Sequence, residues 1–407
     1  MSFQQGLSGL NAASKNLDVI GNNVANTNTV GFKQSQAQFA DMFANSLSGG
    51  GGSMQAGIGV KVAGIAQQFS QGSITISNNP FDIAISGAGF YRLSDQGTIS
   101  YSRNGQFHPD KDGYIVNSSG LRLTGYMANS AGQINSGTPT DLRLSTADLP
   151  PATTTQVNAL VNLDSRETPL SAAAFDPTDP ATYQSSTSLS VYDSLGNSSP
   201  LSTYFVKTAA NSWDVFAAND STLLNGGLAI GTLNFLSNGN LDPLSPSSFN
   251  VTAPVTTGAD PLAFDIDFAS TTQFGSSFGV NALSQDGYAS GQLTGFSVGQ
   301  DGVVSGSYSN GKFLTMGQIA LANFANPQGL QVTGNNTWKE SAASGAALVA
   351  APNTGGLGVL QAGAVEDSNV ELTSELVNMI TAQRVYQANA QTIKTQDQIL
   401  QTVVNLK

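Results

Sequence analysis

Asp265 and Asp267 are the two side chains in this sequence best spaced to do chemistry. Side chains alternate along a strand, so acids two apart share one face, where they could work as an acid–base pair or hold a divalent cation. The same segment alternates Leu262, Phe264, Ile266 and Phe268 with Ala263, Asp265 and Asp267, the pattern of a half-buried strand with a solvated polar face, which is the favoured reading. The single histidine, His108, stands beside Pro109 and reads as a half-exposed residue at a strand end; alone, it builds no zinc cluster. Asp110-Lys-Asp-Gly113 opens like a calcium loop but lacks the closing acid, so it reads as a turn. The run Gly49 to Gly52 has no Gly-Lys-Ser/Thr after it and reads as a flexible loop, not a phosphate cradle. Cysteine is absent, which excludes disulfides and thiol chemistry. No nucleophile elbow or zincin motif occurs. No catalytic, metal or cofactor site is therefore assigned, and the chain is read as a non-enzyme. An enzyme needing only two acids is the one form of catalysis left open.

The 407 residues are enough for two or three domains, each with its own core. Fifteen Lys and Arg stand against 27 Asp and Glu, for a net charge of -12. With no basic run, phosphate neutralisation is disfavoured and no nucleic-acid partner is expected. Charged residues make up only 10% of the chain, against about 25% in ordinary soluble domains. Ser, Thr, Asn, Gln and Gly take their place. No apolar run is long enough for a membrane span, so no membrane insertion is expected. The first residues lack a basic stretch leading into an apolar core and cleavage site, so the expectation is a cytoplasmic chain or one exported with its N-terminus uncut.

The elements that organise everything else are at the two ends. Phe3, Leu7, Leu10, Ser14, Leu17, Gly21 and Val24 step by four and three, a heptad seam weakened at Ser14 and Gly21. Leu372, Leu376, Met379, Ile380, Gln383, Tyr386, Ala390, Ile393, Leu400 and Val403 recur at helical spacing with no Gly or Pro between them. A lone helix of about 23 residues is marginal in water unless its stripe is buried, so each end needs a partner. The expectation is a coiled-coil stalk in which the chain leaves, builds its globular part and returns. The outward faces are amides more than charges: Asn11, Asn16, Asn22, Asn23 and Asn26, then Gln383, Gln387, Gln391, Gln396, Gln398 and Gln401. Solvated coiled coils carry Glu and Lys there, so neutral faces point to packing against further copies of the chain.

Between the helices the pattern is β. Residues 34–45, with Phe39, Met42 and Phe43, are expected to form a short second helical segment. Turn signals at Asn104-Gly105, Asp112-Gly113, Ser119-Gly120 and Gln300-Asp301-Gly302 join short strands. Pro150-Pro151 and the threonines after it mark a boundary. The resulting fold class is mixed and mainly β: two β-rich domains in series plus the α-helical stalk. The expected division is 1–79 with 361–407 as the terminal helical assembly domain, 80–147 with 286–360 as a discontinuous inner β domain, and 148–285 as an inserted outer β domain.

The N-terminal run MSFQQGLSGLNAASKNLDVIGNNVANTNTVGFK, residues 1–33, resembles the opening signature of bacterial flagellar rod and hook proteins, and ELVNMITAQRVYQANAQTIK, residues 375–394, their closing one. FADMFA at 39–44, YSRNGQF at 101–107 and LANFA at 321–325 extend the likeness and favour the hook members of that family. Only 148–285 is matched loosely. The resemblance implies a subunit exported uncleaved through the flagellar type III apparatus and polymerised into a flexible tubular joint. It implies terminal helices lining an inner tube with β domains outside, no cofactor, and as partners identical subunits, the distal rod, the hook cap and the hook–filament junction proteins. The alternatives are a distal rod subunit, usually shorter and without the inserted domain, and a secreted β-rich adhesin, which would carry a cleavable signal or anchor. The residues expected at the assembly interface are Phe3, Leu7, Leu10, Leu17 and Val24 against Leu372, Leu376, Ile380, Ile393, Leu400 and Val403, partly within one subunit and partly between neighbours.

Overall fold

The structure is a computed structural model of the chain. It describes residues 2–42, 57, 59–255 and 257–405, so the glycine run at 49–52 lies outside the described residues. The predicted terminal helices are present as α1 (Ser2–Ala25) and α2 (Leu372–Asn405). Nearly everything described between them is strand and turn. The chain divides into two compact units, one of 1–146, 295–307 and 313–407, the other of 147–294 and 308–312.

The second unit is a sandwich of two five-stranded sheets. One is built around Gln156–Asp164, which pairs in parallel with Leu262–Asp267 and Thr272–Phe274 and antiparallel with Gly279–Gln285. The other is centred on the hairpin Ser198–Ala209 and Ser212–Asn219. One core fills the space between, with Val157, Val161, Phe205, Trp213, Phe264 and Phe268 buried completely or nearly so. Trp213 satisfies its indole N–H by donating to Gln273 Oε1 at 2.5 Å.

In the first unit, strands from early in the chain are flanked on both sides by strands from late in the chain across one sheet. Phe313–Ile319 pairs with Arg122–Met127, which lies beside Phe90–Asp95. That strand pairs with Thr98–Ser102, which in turn pairs with Thr337–Lys339. Two short ladders stitch the outgoing chain to the returning one: Ile74–Ile76 with Ala364–Glu366, and Ile83–Ser86 with Val359–Ala362. Beneath them Phe69, Phe90, Tyr101, Phe324 and Trp338 pack mostly edge to face, their centroids 4.8–5.8 Å apart in the observed pairs.

Where it is described, the expected second helical segment is instead a strand, β1 (Ser35–Met42), paired antiparallel with β2 (Gly59–Gln67); its positions 43–45, Phe43 among them, lie outside the described residues. The spacing of Phe39 and Met42 fits one helical turn, but Ala37 and Phe39 also lie on one face of a strand. There they stand opposite Ile65 and Val62 across the ladder. The partner that decides between the two lies more than twenty residues away, beyond the reach of local periodicity.

Candidate assembly interface

The two terminal helices pack antiparallel. Gly6 lies against Ile393, Gly9 against Asn389, and Asn23 reaches Glu375, so positions rise on one helix as they fall on the other. A β-carbon at Gly9 would stand 2.6 Å from Asn389 Oδ1 and one at Gly6 3.1 Å from Ile393 Cγ1, so the approach depends on missing side chains. The buried residues of α1 are Gly6, Ala12, Ala13, Val19, Ile20 and Asn23, and those of α2 are Glu375 and Ala382. This buried face of α1 is rotated by about a third of a turn from the apolar heptad, at 100° per residue.

The heptad residues are consequently left over. Phe3, Leu7, Leu372, Leu376, Ile380 and Leu400 are 44–56% exposed. Leu10, Leu17, Val24 and Ile393 are half-buried, Ile393 through its contact with Gly6. Val403 lies within α2, and its side chain is outside the described set. Val377, Val385, Ile399 and Val404 add to the exposed apolar surface of α2. One chain thus presents two helices with many large apolar side chains exposed or only half covered.

The base of the helix pair is fixed by polar groups that periodicity does not reveal. Asn23 brackets Ser35, its amide donating to the carbonyl at 2.8 Å and its Oδ1 accepting from the N–H at 2.9 Å. Gln34 Nε2 donates to Glu375 Oε1 at 2.6 Å, and Asn369 takes the Gln34 N–H while donating to the Gln68 carbonyl. Deeper lies an ion triad. Glu366, fully buried, accepts from Lys33 Nζ at 2.6 Å, from the Gly72 N–H at 2.9 Å and from Arg103 Nη1 at 3.1 Å. Lys33 also donates to the Ser70 carbonyl, Arg103 to the Gly87 carbonyl, and the Arg103 guanidinium lies 5.4 Å from the Phe90 ring centre. Two cations share one anion. Burial pushes the Lys33 ammonium below its ordinary value, and attraction to Glu366 offsets this in part. Burial likewise pushes the Tyr91 hydroxyl, which donates to the Ile83 carbonyl, well above its usual range. In a sequence so poor in charge, a charged residue amid apolar strand, such as Glu366 after Ala364-Val365, was the available signal.

The acids and turn residues spaced for chemistry are engaged locally. Asp265 accepts from Asn250 Nδ2 at 2.8 Å and Asp267 from the Ala269 N–H at 2.8 Å, on a strand whose apolar side chains point into the sandwich core. Asp110 Oδ1 accepts the N–H groups of Asp112 and Tyr114, closing a turn completed by Gly113 at φ +84°. Asn117, Asn129 and Asp193 build the same turn, each with a glycine three residues on. The positive φ at that glycine is the reason for the residue type. His108 is exposed in the short strand Phe107–Pro109. No cluster of metal-ligating side chains occurs among the described residues, and no described helix is long and apolar enough to cross a membrane.

Comparison with known proteins covers the chain almost end to end. Residues 3–33 match the family described as flagella basal body rod protein, and 84–158 the flagellar hook protein FlgE/F/G D1 domain. Residues 162–288 match the flagellar basal body protein FlaE D2 domain, and 361–406 the flagellar basal body rod FlgEFG protein C-terminal family. The chain is 44% identical to the flagellar hook protein FlgE of Escherichia coli over 413 residues, covering all of both chains. It is equally similar to that of Salmonella typhimurium, over 415 residues, and is 35% identical to that of Borreliella burgdorferi, covering 99% of the latter. In fold it is similar to the crystal structure of the Helicobacter pylori flagellar hook protein FlgE2, with a TM-score of 0.54 at 14% identity, covering 70% of this chain and 99% of that one.

Proposed function

The chain belongs to the flagellar hook protein family, and from that premise we propose that the exposed stripes of α1 and α2 are the surfaces through which its copies polymerise. The protein is a structural subunit of the flagellar hook. The observation that carries the proposal is that Phe3 and Leu7 of α1 and Leu372, Leu376, Ile380 and Leu400 of α2 remain exposed, with Leu10, Leu17 and Val24 only half-buried, while close approach at Gly6 and Gly9 holds the two helices together. Burying one Leu is worth roughly 1.5–3 kcal/mol, so several per subunit suffice to drive association.

In this reading Phe3, Leu7, Leu10, Leu17, Val24, Leu372, Leu376, Ile380, Ile393, Leu400 and Val403 form the contact set. The division proposed is three-part, with the terminal helices assembling, residues 80–147 and 286–360 as the inner β domain, and 148–285 as the outer one. The partners are identical subunits, and beyond them the distal rod, the cap, the junction proteins and the type III export apparatus, reached with the N-terminus uncleaved. Low surface charge fits a joint that bends while transmitting torque, because neutral amides exchange partners as neighbours slide, whereas fixed ion pairs would hold one register. Leu10→Asp or Ile380→Asp should abolish polymerisation, read by electron microscopy of concentrated protein, while both β units stay folded by circular dichroism. Tubes formed by either variant would refute this placement of the interface.

A further inference from the structure

A groove of about 1040 Å³ runs between α1, the β1–β2 ribbon and α2. Apolar and polar groups share its walls about equally: Val19 and Ile20 from α1, Phe39 from the ribbon and Val385 from α2 on the apolar side, Asn16 and Asn378 on the polar one. One acid lines it, Glu375, only 2% exposed. That carboxylate is held by the neutral amides of Gln34, at 2.6 Å, and Asn23, at 3.5 Å, and makes no ion pair among the described residues. A buried carboxylate with only amide partners is incompletely compensated and favours an incoming cation.

The other side of α2 carries the complement. Val377, Ile380 and Arg384 step by three and four along a face turned away from α1, with Val377 and Ile380 59% and 51% exposed. Arg384 is also exposed and makes no ion pair among the described residues. Each copy therefore bears a groove of mixed apolar and amide lining with an acid in it, and a helix face with apolar side chains and a cation on it. Because the two features lie on different surfaces, pairing them between copies is heterologous, the interface type that builds helical filaments wherever the rotation between copies does not close into a ring.

We propose that the groove seats the outer face of α2 from a second copy, with Arg384 of that second copy paired to Glu375. The proposal rests on the hook reading and names which surface takes which. Without cysteine, the chain allows single cysteines to be introduced cleanly. Chains with Glu375→Cys and size-tagged chains with Arg384→Cys are mixed, polymerised and treated with a short bis-maleimide. The expected product is the mixed dimer on a denaturing gel, present in polymer and absent from dilute unassembled protein. Asn378→Cys, also on the groove, replaces Glu375→Cys if the latter fails to fold or assemble. In parallel, Glu375→Gln and Arg384→Gln should each raise the protein concentration needed for polymerisation by about tenfold or more, and the double variant by no more than the worse single. Polymers giving no mixed dimer from either groove position, or additive losses in the double variant, overturn the pairing while leaving the hook reading intact. Failure of the unsubstituted chain to polymerise under any seeding removes the hook reading and this proposal with it.

Discussion

The ion triad at the base of the helices makes an asymmetric prediction. Glu366→Gln keeps the shape of the side chain but leaves Lys33 and Arg103, 0% and 4% exposed, facing each other with no anion. Breaking a buried pair in this way costs about 3–5 kcal/mol, because an uncompensated charge remains. Lys33→Met removes a cation instead. It leaves Arg103 and Glu366 as a balanced pair, fills the Lys33 stem's space and forfeits the bonds to Ser70 and Glu366, so it should cost about 1–3 kcal/mol. The two tryptophans make the assay local, with Trp338 in the unit that holds the triad and Trp213 in the other, both buried. In urea, with Trp213→Phe to isolate Trp338, Glu366→Gln should lower the midpoint by about 1–2 M for a slope of about 2–3 kcal/mol per M. With Trp338→Phe, the transition of Trp213 should stay in place. If Lys33→Met proves as damaging as Glu366→Gln, or if Glu366→Gln costs less than about 1 kcal/mol, the charge accounting for this cluster is wrong.

Three further outcomes follow from the same unit. Tyr101, whose hydroxyl is pushed up to about 12 by burial and then by the nearby Glu340, favours the folded state below pH 10, and that contribution is lost as pH rises toward 12. Lys33, with its folded value lowered, acts in the opposite sense up to about 10.5, so the clean window is pH 10.5–12. There Tyr101→Phe should flatten the fall of the Trp338 midpoint, leaving only the part due to Tyr91. Gly31→Ala should cost on the order of 3 kcal/mol, because φ is +71° and the new β-carbon would lie 2.5 Å from the Asn104 nitrogen. Gly21→Ala meets nothing within 4 Å inside α1 and should instead raise the melting temperature of the unassembled chain, by an amount worth about 0.5–1 kcal/mol.

What could be read in advance was whatever repeats locally. The spacing of Phe3 to Val24 and of Leu372 onward announces two helices, the alternation from Leu262 to Phe268 announces a half-buried strand, and glycines at fixed offsets announce turns. Non-local choices left no such trace. Residues 35–42 became a strand because β2 supplies a partner. The heptad of α1 does not reveal the face turned to α2, where Gly6 and Gly9 allow closer approach than Leu7 and Leu10 would. The triad joins positions 33, 103 and 366, which are adjacent only after the sheet closes.

That closure has a kinetic meaning. Ile74–Ile76 finds its ladder partner in Ala364–Glu366, almost three hundred residues downstream, and a loop of that length is slow to close. The second unit draws its strands almost entirely from one continuous stretch and does not have to wait. A chain appearing from its N-terminus can therefore finish the sandwich first and keep Lys33 and Arg103 solvated until Glu366 arrives. A copy truncated before Glu366 would lack both the anion and the strand that carries it, so incomplete chains are left without a closed base from which helices could pair. The same carboxylate that balances two cations thus also reports that synthesis has reached the returning strand.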